Sequence, residues 1–171
     1  MVPVVSFVGN SGVGKTTFLE KLIPVLKSRG YRIASIKHDV HKFVIDYPGK
    51  DSWRLTQAGS DIVVLSSSTK LAVLETVQED RSLTDLVEMV SDRVDLVVTE
   101  GYRGAAALKI EVSRAAHSTS LTARLDDLLA IVTDHPFEIS VPQFGLEDAV
   151  PVADFIVGRF GVREPREMCR S

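Results

Sequence analysis

A glycine-rich segment between a short apolar run and an amphipathic stretch constrains the fold of this chain more than any other feature. The apolar run covers residues 3–8, and apolar side chains at helical spacing cover residues 17–29. The segment between them matches the pattern G-x-x-x-x-G-K-[ST] and consists of Gly9, Asn10, Ser11, Gly12, Val13, Gly14, Lys15 and Thr16. This pattern is the phosphate-binding loop, or P-loop, in the strand-loop-helix context that it requires. It predicts an α/β fold of the P-loop NTPase type, with a mainly parallel sheet flanked by helices.

The P-loop also predicts the chemistry of a nucleoside triphosphate site. Its glycines let the backbone curl, so that N–H groups of the motif and of Thr17 point at phosphate oxygens beside the positive end of the following helix. Lys15 is expected to reach the β- and γ-phosphates, and the hydroxyl of Thr16 to ligate Mg²⁺. The alternative is a glycine-rich turn with a chance lysine. It is disfavoured because every fixed position of the motif matches.

Length and composition are typical of one globular domain. The chain has 171 residues, 44% of them hydrophobic, so we expect a single domain at residues 1–162 and a frayed tail at residues 163–171. The net charge of -3 provides no general attraction to nucleic acids or membranes. The single cysteine, Cys169, excludes an internal disulfide and a zinc-thiolate cluster, which suits a reducing cytoplasm. No apolar stretch approaches the roughly 18 residues of a membrane span.

A second strand is predicted at residues 32–36, where it would pair in parallel with the first strand. Ligands of parallel sheets bind beyond the carboxyl ends of the strands. Asp39 follows this strand closely, and we expect it to hold Mg²⁺ through water or to orient an attacking water. Lys15, Asp39 and Glu100 are the predicted catalytic residues. The predicted metal ligands are Thr16, Asp39 and Glu100.

The segment after the second strand also carries lysines and histidines. Each of its lysines can contact phosphates or remain a solvated surface charge, and these are Lys37, Lys42 and Lys50. Lys50 is kept as a candidate for nucleotide binding. His38 and His41 have the wrong spacing for a helical zinc pair, so we do not expect them to bind a metal.

The middle of the chain predicts a short helix followed by a β-hairpin. Ser52 is a suitable N-cap for a helix that extends to residue 58. Residues 61–66 and 71–76 read as strands, and the short connection between them favours antiparallel pairing. Ser82 is then predicted to cap another helix.

Glu100 is the second strong candidate for the site. It follows the buried-strand pattern of residues 94–99, at the predicted carboxyl end of that strand. A carboxylate in this place can meet the Mg²⁺ beside a P-loop, as a Walker B acid does. The alternative is an ordinary solvated charge at the end of a strand.

Two further strands carry other charged residues or are followed by them. Residues 108–112 alternate apolar and polar side chains, which predicts a half-exposed strand. Lys109 and Arg114 in this region can bind an anion of a second ligand or be surface charges, and the sequence does not favour either. Asp134 follows the apolar residues 128–133, where many nucleotide-binding folds hold the base. Its carboxylate can accept from guanine, although the usual N/T-K-x-D signature is absent.

The motifs together are similar to those of a known family. They are the P-loop, Ile36-Lys37-His38-Asp39, Asp46-Tyr47-Pro48-Gly49-Lys50-Asp51-Ser52 with Arg54, Ala58-Gly59, Glu100-Gly101, and Lys109-Ile110-Glu111-Val112 with Arg114. This combination resembles the MobB-type proteins of molybdopterin guanine dinucleotide biosynthesis, from the first strand to about residue 157. Members of the family often carry a second histidine after the Lys-His pair, where this chain has Asp39.

The resemblance implies a GTP-binding adaptor with weak GTPase activity. Such an adaptor would help a guanylyltransferase partner to attach GMP to molybdopterin, which makes the guanine dinucleotide form of the molybdenum cofactor. GTP and Mg²⁺ are the implied cofactors, and molybdopterin is a further implied ligand. The family is typically homodimeric, and its hairpin region helps to join the subunits.

Two other classes of function stay open on the sequence. A small-molecule or nucleoside kinase would need an acceptor pocket and an arginine-rich lid, whereas residues 102–107 carry only Arg103. A nucleotide-controlled scaffold would bind the nucleotide without turnover. No side chain clearly activates water and no arginine finger is obvious, with Arg54 and Arg103 as candidates only. Hydrolysis is therefore expected to be slow, because stabilisation of transition-state charge supplies most of the rate.

Overall fold

The computed structural model describes residues 2–38 and 45–162. The contacts divide the described residues into two compact units, one formed by residues 2–38 with 83–162 and one by residues 45–82. The single domain at residues 1–162 stays a prediction, and the predicted frayed tail at residues 163–171 lies outside the described residues. Within the part of the chain that the structure describes, we find no helix with the length and apolar character needed to cross a bilayer.

The first unit contains the large sheet and most of the helices. Its elements are β1 (Val4–Val8), α1 (Lys15–Ser28), β2 (Ile33–Lys37), α3 (Leu83–Glu88), β5 (Leu96–Glu100), β6 (Leu108–Ser113), β7 (Leu128–Thr133), β8 (Gln143–Phe144) and α4 (Ala149–Phe160). The second unit contains α2 (Asp51–Gln57), β3 (Ile62–Ser66) and β4 (Leu71–Glu75). Most of these elements lie within one or two residues of the stretches that periodicity predicts.

The six strands of the first unit form a parallel sheet in the order β2-β5-β1-β6-β7-β8. This confirms the predicted α/β class with a mainly parallel sheet. The predicted direct pairing of β1 with β2 is wrong, because β5 lies between them and pairs with both. The side chains of Leu96, Val97 and Val98 are buried on both faces of the sheet, so β5 needs an interior position.

The sheet carries an apolar core on the face covered by α1 and α4. Phe7, Val98 and Val112 contribute to it from the strands, and all three are almost completely buried. Leu22 of α1 and Ile156 of α4 are fully buried in the same cluster. Burial of side chains of this size contributes about 1.5–3 kcal/mol each. The core thus fixes the start of α1 against the ends of the strands.

The polar side chains of β6 are buried, so the predicted half-exposed strand is wrong. Lys109 is 2% exposed and Glu111 is 1% exposed. They face away from the apolar core, where the chain segments after β5 and after β6 supply their polar partners. Lys109 Nζ donates to the carbonyls of Ala105 and Ala107, at 3.0 and 3.1 Å. The polar side chains that alternate with apolar ones along β6 therefore lie on a face of the sheet that loops cover, rather than on a face exposed to water.

The second unit is a short helix beside an antiparallel hairpin. The ladder pairs Val64 with Val73, which confirms the predicted hairpin. The predicted N-cap is wrong, because Lys50 occupies that position of α2 and Ser52 lies inside the helix. Ser52 is buried, and its hydroxyl donates to Asp46 Oδ1 at 2.8 Å. A serine in the first turn can satisfy its hydroxyl through a preceding aspartate as well as by capping.

Candidate nucleotide site

The P-loop connects the carboxyl end of β1 to the start of α1. Three of its glycines have positive φ angles, 137° at Gly9, 79° at Gly12 and 94° at Gly14. A Cβ atom at Gly9 would lie 2.2 Å from the carbonyl oxygen of Val112 on the neighbouring strand β6. No side chain can be accommodated at this distance. The backbone of the loop therefore packs against the sheet in a way that requires glycine.

The start of α1 presents backbone N–H groups to this loop. Gly14 is the N-cap, and it has no side chain that could accept from the first turn of the helix. The first N–H groups of a helix have no intrahelical partner, and the helix dipole adds positive potential there. Lys15, Thr16 and Thr17 form this first turn. Together with the loop, the turn has the form of an anion-binding site.

Lys15 bends back over the loop instead of pointing into solvent. Its Nζ donates to the carbonyls of Asn10 at 2.8 Å and of Gly9 at 3.2 Å. Burial lowers the pKa of Lys15, Glu100 opposes this shift, and the charges of Arg103 and Lys37 add to it. Three cations thus lie near one carboxylate at the P-loop, which favours a ligand with several negative charges.

Thr16 and Glu100 are in direct contact. The hydroxyl of Thr16 donates to Glu100 Oε2 at 2.8 Å, across 84 positions of the sequence. The carboxylate is 15% exposed, and Lys37 Nζ lies 3.6 Å from its Oε2. A hydroxyl that donates to a carboxylate keeps its lone pairs for a cation, and hard cations such as Mg²⁺ prefer oxygen ligands. The pair therefore fits a magnesium ion that takes its other ligands from phosphates and water.

The described residues contain no group of three or more His, Cys, Asp or Glu side chains that could hold a metal ion. Mg²⁺ usually keeps several waters and binds substrate phosphates rather than a cage of side chains, and the predicted magnesium site stays a prediction. Asp39, the other predicted metal ligand and catalytic carboxylate, lies outside the described residues, as do Lys42 and His41. Their predicted roles stay predictions.

Two arginines and a histidine lie against the P-loop. Arg103 donates from its guanidinium to the carbonyl of Gly9 at 2.5 Å, and Arg114 Nε donates to the carbonyl of Val13 at 3.0 Å. The ring of His117 lies 3.1 Å from the position that a Cβ atom of Gly12 would occupy. Arg114 thus contacts the loop directly, and the predicted alternative that it binds an anion of a second ligand stays a prediction.

Sequence reasoning missed His117 altogether. A usable signal was its position just beyond β6, because the carboxyl ends of parallel strands share one edge with the P-loop. The position of Arg114 at the end of the same strand carries the same signal. Lys109 lies at the other end of β6, where its ammonium is 3.1 Å from Asp127 Oδ2 and is satisfied by protein atoms.

Asp134 lies at the carboxyl end of β7, on the same edge of the sheet. Its Oδ1 accepts from the backbone N–H of Ala115 at 2.9 Å and lies 3.4 Å from Nδ1 of His135. The N–H of Ala115 is the main cause that lowers the pKa of Asp134. An open depression of about 420 Å³ beside it is lined by Thr133, Asp134, His135, Pro136, Gln143 and Phe144. Recognition of a base there stays a prediction.

Lys50, the remaining predicted nucleotide ligand, belongs to the second unit. It is exposed, and its ammonium lies 5.9 Å from the centre of the Tyr47 ring. A cation at this distance from an aromatic face gains a weak electrostatic attraction. The predicted phosphate contact of Lys50 stays a prediction.

Family models, curated relatives and solved structures all point to the same family. The family model of MobB, molybdopterin guanine dinucleotide synthesis protein B, matches residues 4–134. The chain is 36% identical over 156 residues to the molybdopterin-guanine dinucleotide biosynthesis adapter protein of Haemophilus influenzae, covering 91% of this chain and 88% of that protein. It is 34% identical over 163 residues to the adapter protein of Escherichia coli, covering 92% and 93%. A crystal structure of molybdopterin-guanine biosynthesis protein B superimposes with a TM-score of 0.74 at 29% identity, covering 92% of this chain and 99% of that chain.

Proposed function

This chain belongs to the MobB family of molybdopterin guanine dinucleotide synthesis proteins, and on that premise we propose that it is a GTP-binding adapter. It assists the transferase that attaches GMP to molybdopterin, in the synthesis of the guanine dinucleotide form of the molybdenum cofactor. The names of the relatives from Haemophilus influenzae and Escherichia coli support the adapter role. The nucleotide and the metal are proposed from the site itself.

The contact between Thr16 and Glu100 is the observation that supports nucleotide binding most strongly. It joins the first turn of α1 to the end of β5 at 2.8 Å, directly beside the P-loop lysine. Lys15 neutralises charge on the phosphates, and the N–H groups of the loop donate hydrogen bonds to their oxygens. A Mg²⁺ ion would be held by Thr16 and Glu100, and it would neutralise charge that develops on the phosphates.

Slow hydrolysis follows from the same geometry. Glu100 accepts from Thr16 and lies near Lys37, so its position suits a role in holding a cation rather than in activating water. Slow hydrolysis leaves the nucleotide bound for a long time. This suits an adapter, because the nucleotide or the conformation that it stabilises must last while the adapter is in contact with its partner protein. A kinase would instead transfer the terminal phosphate to an acceptor at a comparable rate with or without a partner protein.

A homodimer joined through the hairpin of the second unit is part of the proposal. Val64 and Val73 pair across the ladder, and both are more than half exposed. Ile62 and Leu71 lie on the same face and are 54% and 66% exposed. An apolar face of this kind on a two-stranded sheet favours association.

Light scattering should give twice the mass of the chain, and Val73→Arg should give the monomer. A monomeric wild-type protein would exclude the dimer.

Calorimetric titration with GTP and ATP in the presence of Mg²⁺ tests the nucleotide proposal. We expect GTP to bind more tightly than ATP, and we expect Lys15→Ala to abolish binding. Lys27→Ala is the matched control, because Lys27 lies on the same helix in its last turn and is exposed. Retained GTP binding by Lys15→Ala would refute the site, and a preference for ATP would favour a kinase or an ATP-driven switch.

Turnover assays separate the adapter from its two rivals. Phosphate release from GTP should be slow for the protein alone and should be measured again with the partner transferase present. Binding without any release in either case would support a scaffold. Release that requires a small hydroxyl acceptor would support a kinase.

A further inference from the structure

The segment that follows β5 has an unusual backbone conformation. We call residues 101–107 the Arg103 loop. Gly101 has a φ of 99°, and Tyr102 has a φ of 52°, which makes Tyr102 the one non-glycine residue with positive φ among those described. A Cβ atom at Gly101 would lie 3.1 Å from the carbonyl oxygen of His38. Two successive left-handed residues turn the chain sharply after Glu100 and direct the next side chain, Arg103, toward the P-loop.

Arg103 shares its acceptor with the P-loop lysine. Its guanidinium donates to the carbonyl of Gly9, and Lys15 Nζ donates to the same oxygen at 3.2 Å. Two cations that share one acceptor are within a few ångströms of each other and repel. The charge of Arg103 accordingly contributes to the lowered pKa of Lys15. Glu100 offsets part of this repulsion, and the negative charge of a phosphate would offset more of it.

Lys109 fixes the other end of the Arg103 loop. Its ammonium is 2% exposed and donates to the carbonyls of Ala105 and Ala107. Asp127 balances its charge at 3.1 Å. A buried ammonium with three oxygen partners has no freedom to move. The Arg103 loop is therefore held between the left-handed turn on one side and a buried cation on the other.

From these contacts we infer that Arg103 contacts the terminal phosphate of a bound nucleoside triphosphate, and that Lys109 is a positioning residue for it. The inference rests on the proposed function, since it needs the P-loop to hold the nucleotide. The lysine of a P-loop reaches the β- and γ-phosphates, so a cation beside Lys15 is within reach of the same oxygens. A diphosphate lacks the group that Arg103 would bind.

The exchange of partners by Arg103 is favourable. A guanidinium can form two parallel hydrogen bonds to a phosphate in which both partners are charged, whereas the carbonyl of Gly9 is a neutral acceptor. The ammonium of Lys15 has three N–H donors, so it can reach a phosphate and still donate to the carbonyl of Gly9 when Arg103 leaves, and no acceptor is left unpaired. Arg103 thereby distinguishes a bound triphosphate from a bound diphosphate. The position of the Arg103 loop then depends on which of the two is bound.

Calorimetry with a non-hydrolysable GTP analogue and with GDP, both with Mg²⁺, tests the inference on the full chain. Arg103→Ala should weaken binding of the analogue roughly 10- to 100-fold and binding of GDP less than about threefold, given the strength of hydrogen bonds between charged groups. Arg103→Lys should recover part of the loss. Arg124→Ala is the matched control, because Arg124 is 81% exposed and pairs with Asp126 on the surface.

Equal weakening of both ligands by Arg103→Ala would overturn the inference, because it would mean that Arg103 only supports the carbonyl of Gly9. Unchanged binding of both ligands would overturn it as well. A wild-type protein that binds neither ligand would instead refute the proposed function, so the two failures are distinguishable.

The positioning role of Lys109 is tested by a quantity that a purely structural residue would leave unchanged, which is the ratio of the affinities for the analogue and for GDP. Lys109→Met should reduce the ratio of analogue to GDP affinity, and the double variant with Arg103→Ala should show no further reduction. If Lys109→Met does not fold, Asp127→Asn removes the partner charge at a carboxylate that is 40% exposed and gives the same comparison. An additive reduction in the double variant would exclude a role of Lys109 through Arg103.

Discussion

Replacement of the buried carboxylate of Glu111 by an amide should destabilise the first unit strongly. Glu111 lies in β6 and is 1% exposed. Its Oε1 accepts from the N–H and the hydroxyl of Thr122, at 2.7 and 3.0 Å, and its Oε2 accepts from the N–H of Ala123 at 2.8 Å. The three donors belong to a segment without regular structure, so the carboxylate holds that segment on the sheet.

The magnitude follows from the donors that the carboxylate satisfies. Glutamine at position 111 keeps one acceptor oxygen, which can stay with Thr122, and its amide NH₂ then faces the N–H of Ala123. Loss of one hydrogen bond to a charged group costs about 1.5–3 kcal/mol, and a buried donor without an acceptor costs about 1–3 kcal/mol. Easier burial of the neutral amide offsets part of this. We expect Glu111→Gln to lower the free energy of unfolding by about 2–4 kcal/mol.

Urea unfolding followed by far-ultraviolet circular dichroism measures this effect. With a slope near 2 kcal/mol per M, the midpoint should fall by about 1–2 M. Glu147→Gln is the matched control, because Glu147 is 80% exposed in an ion pair with Lys21 and such pairs contribute about 0–1 kcal/mol. A midpoint for Glu111→Gln within about 0.3 M of the wild type, at an unchanged slope, would refute the reasoning.

Two further substitutions test the P-loop backbone and the edge at β7. Gly9→Ala should destabilise the protein by more than about 3 kcal/mol, because its Cβ would lie 2.2 Å from Val112 O, whereas Gly104→Ala, with open space around it, should stay within about 1 kcal/mol of the wild type in the same urea assay. Similar midpoints for both variants would contradict the close approach of the loop to β6. The lowered pKa of Asp134 stabilises the folded state above the ordinary value of 3.8, and this contribution is lost as the pH falls through the lowered pKa. The difference in unfolding free energy between wild type and Asp134→Asn should therefore be smaller at pH 3 than at pH 7, and an equal difference at both values would contradict the role of Ala115 N–H.

The fold could be predicted from the sequence wherever local patterns are sufficient. Periodicity located the strands and the long helices, and the short connection between β3 and β4 predicted the hairpin. The position of β5 between β1 and β2 could not be predicted, because strand order depends on tertiary packing rather than on any local pattern. Lys109 and Glu111 show the same limit, since alternation along β6 has the same form whether loops or water cover the polar face.

The candidate site likewise has features that the sequence predicts and features that only the folded chain shows. Glycines and the P-loop lysine are recognisable because their spacing along the chain is short and specific. The contact of Thr16 with Glu100 spans 84 positions, and it became an expectation only because a P-loop needs a nearby carboxylate. Arg103 was named as one of two candidate arginines, and only the left-handed turn at Gly101 and Tyr102 explains why its side chain points at the loop.

The cations around the P-loop are held in place by carbonyl oxygens of the loop itself. Lys15 and Arg103 donate to carbonyls of the loop, and Arg114 donates to Val13 O. The loop thus uses neutral oxygens to keep the cations close together in a chain whose net charge is -3. In the function that we propose, a phosphate would offer these cations a charged acceptor beside the neutral carbonyls that they already contact, and the gain would be the difference between the two kinds of partner rather than the full strength of an ion pair. The proposed nucleotide would then bind a preorganised site with part of the possible affinity, which would suit reversible binding by an adapter.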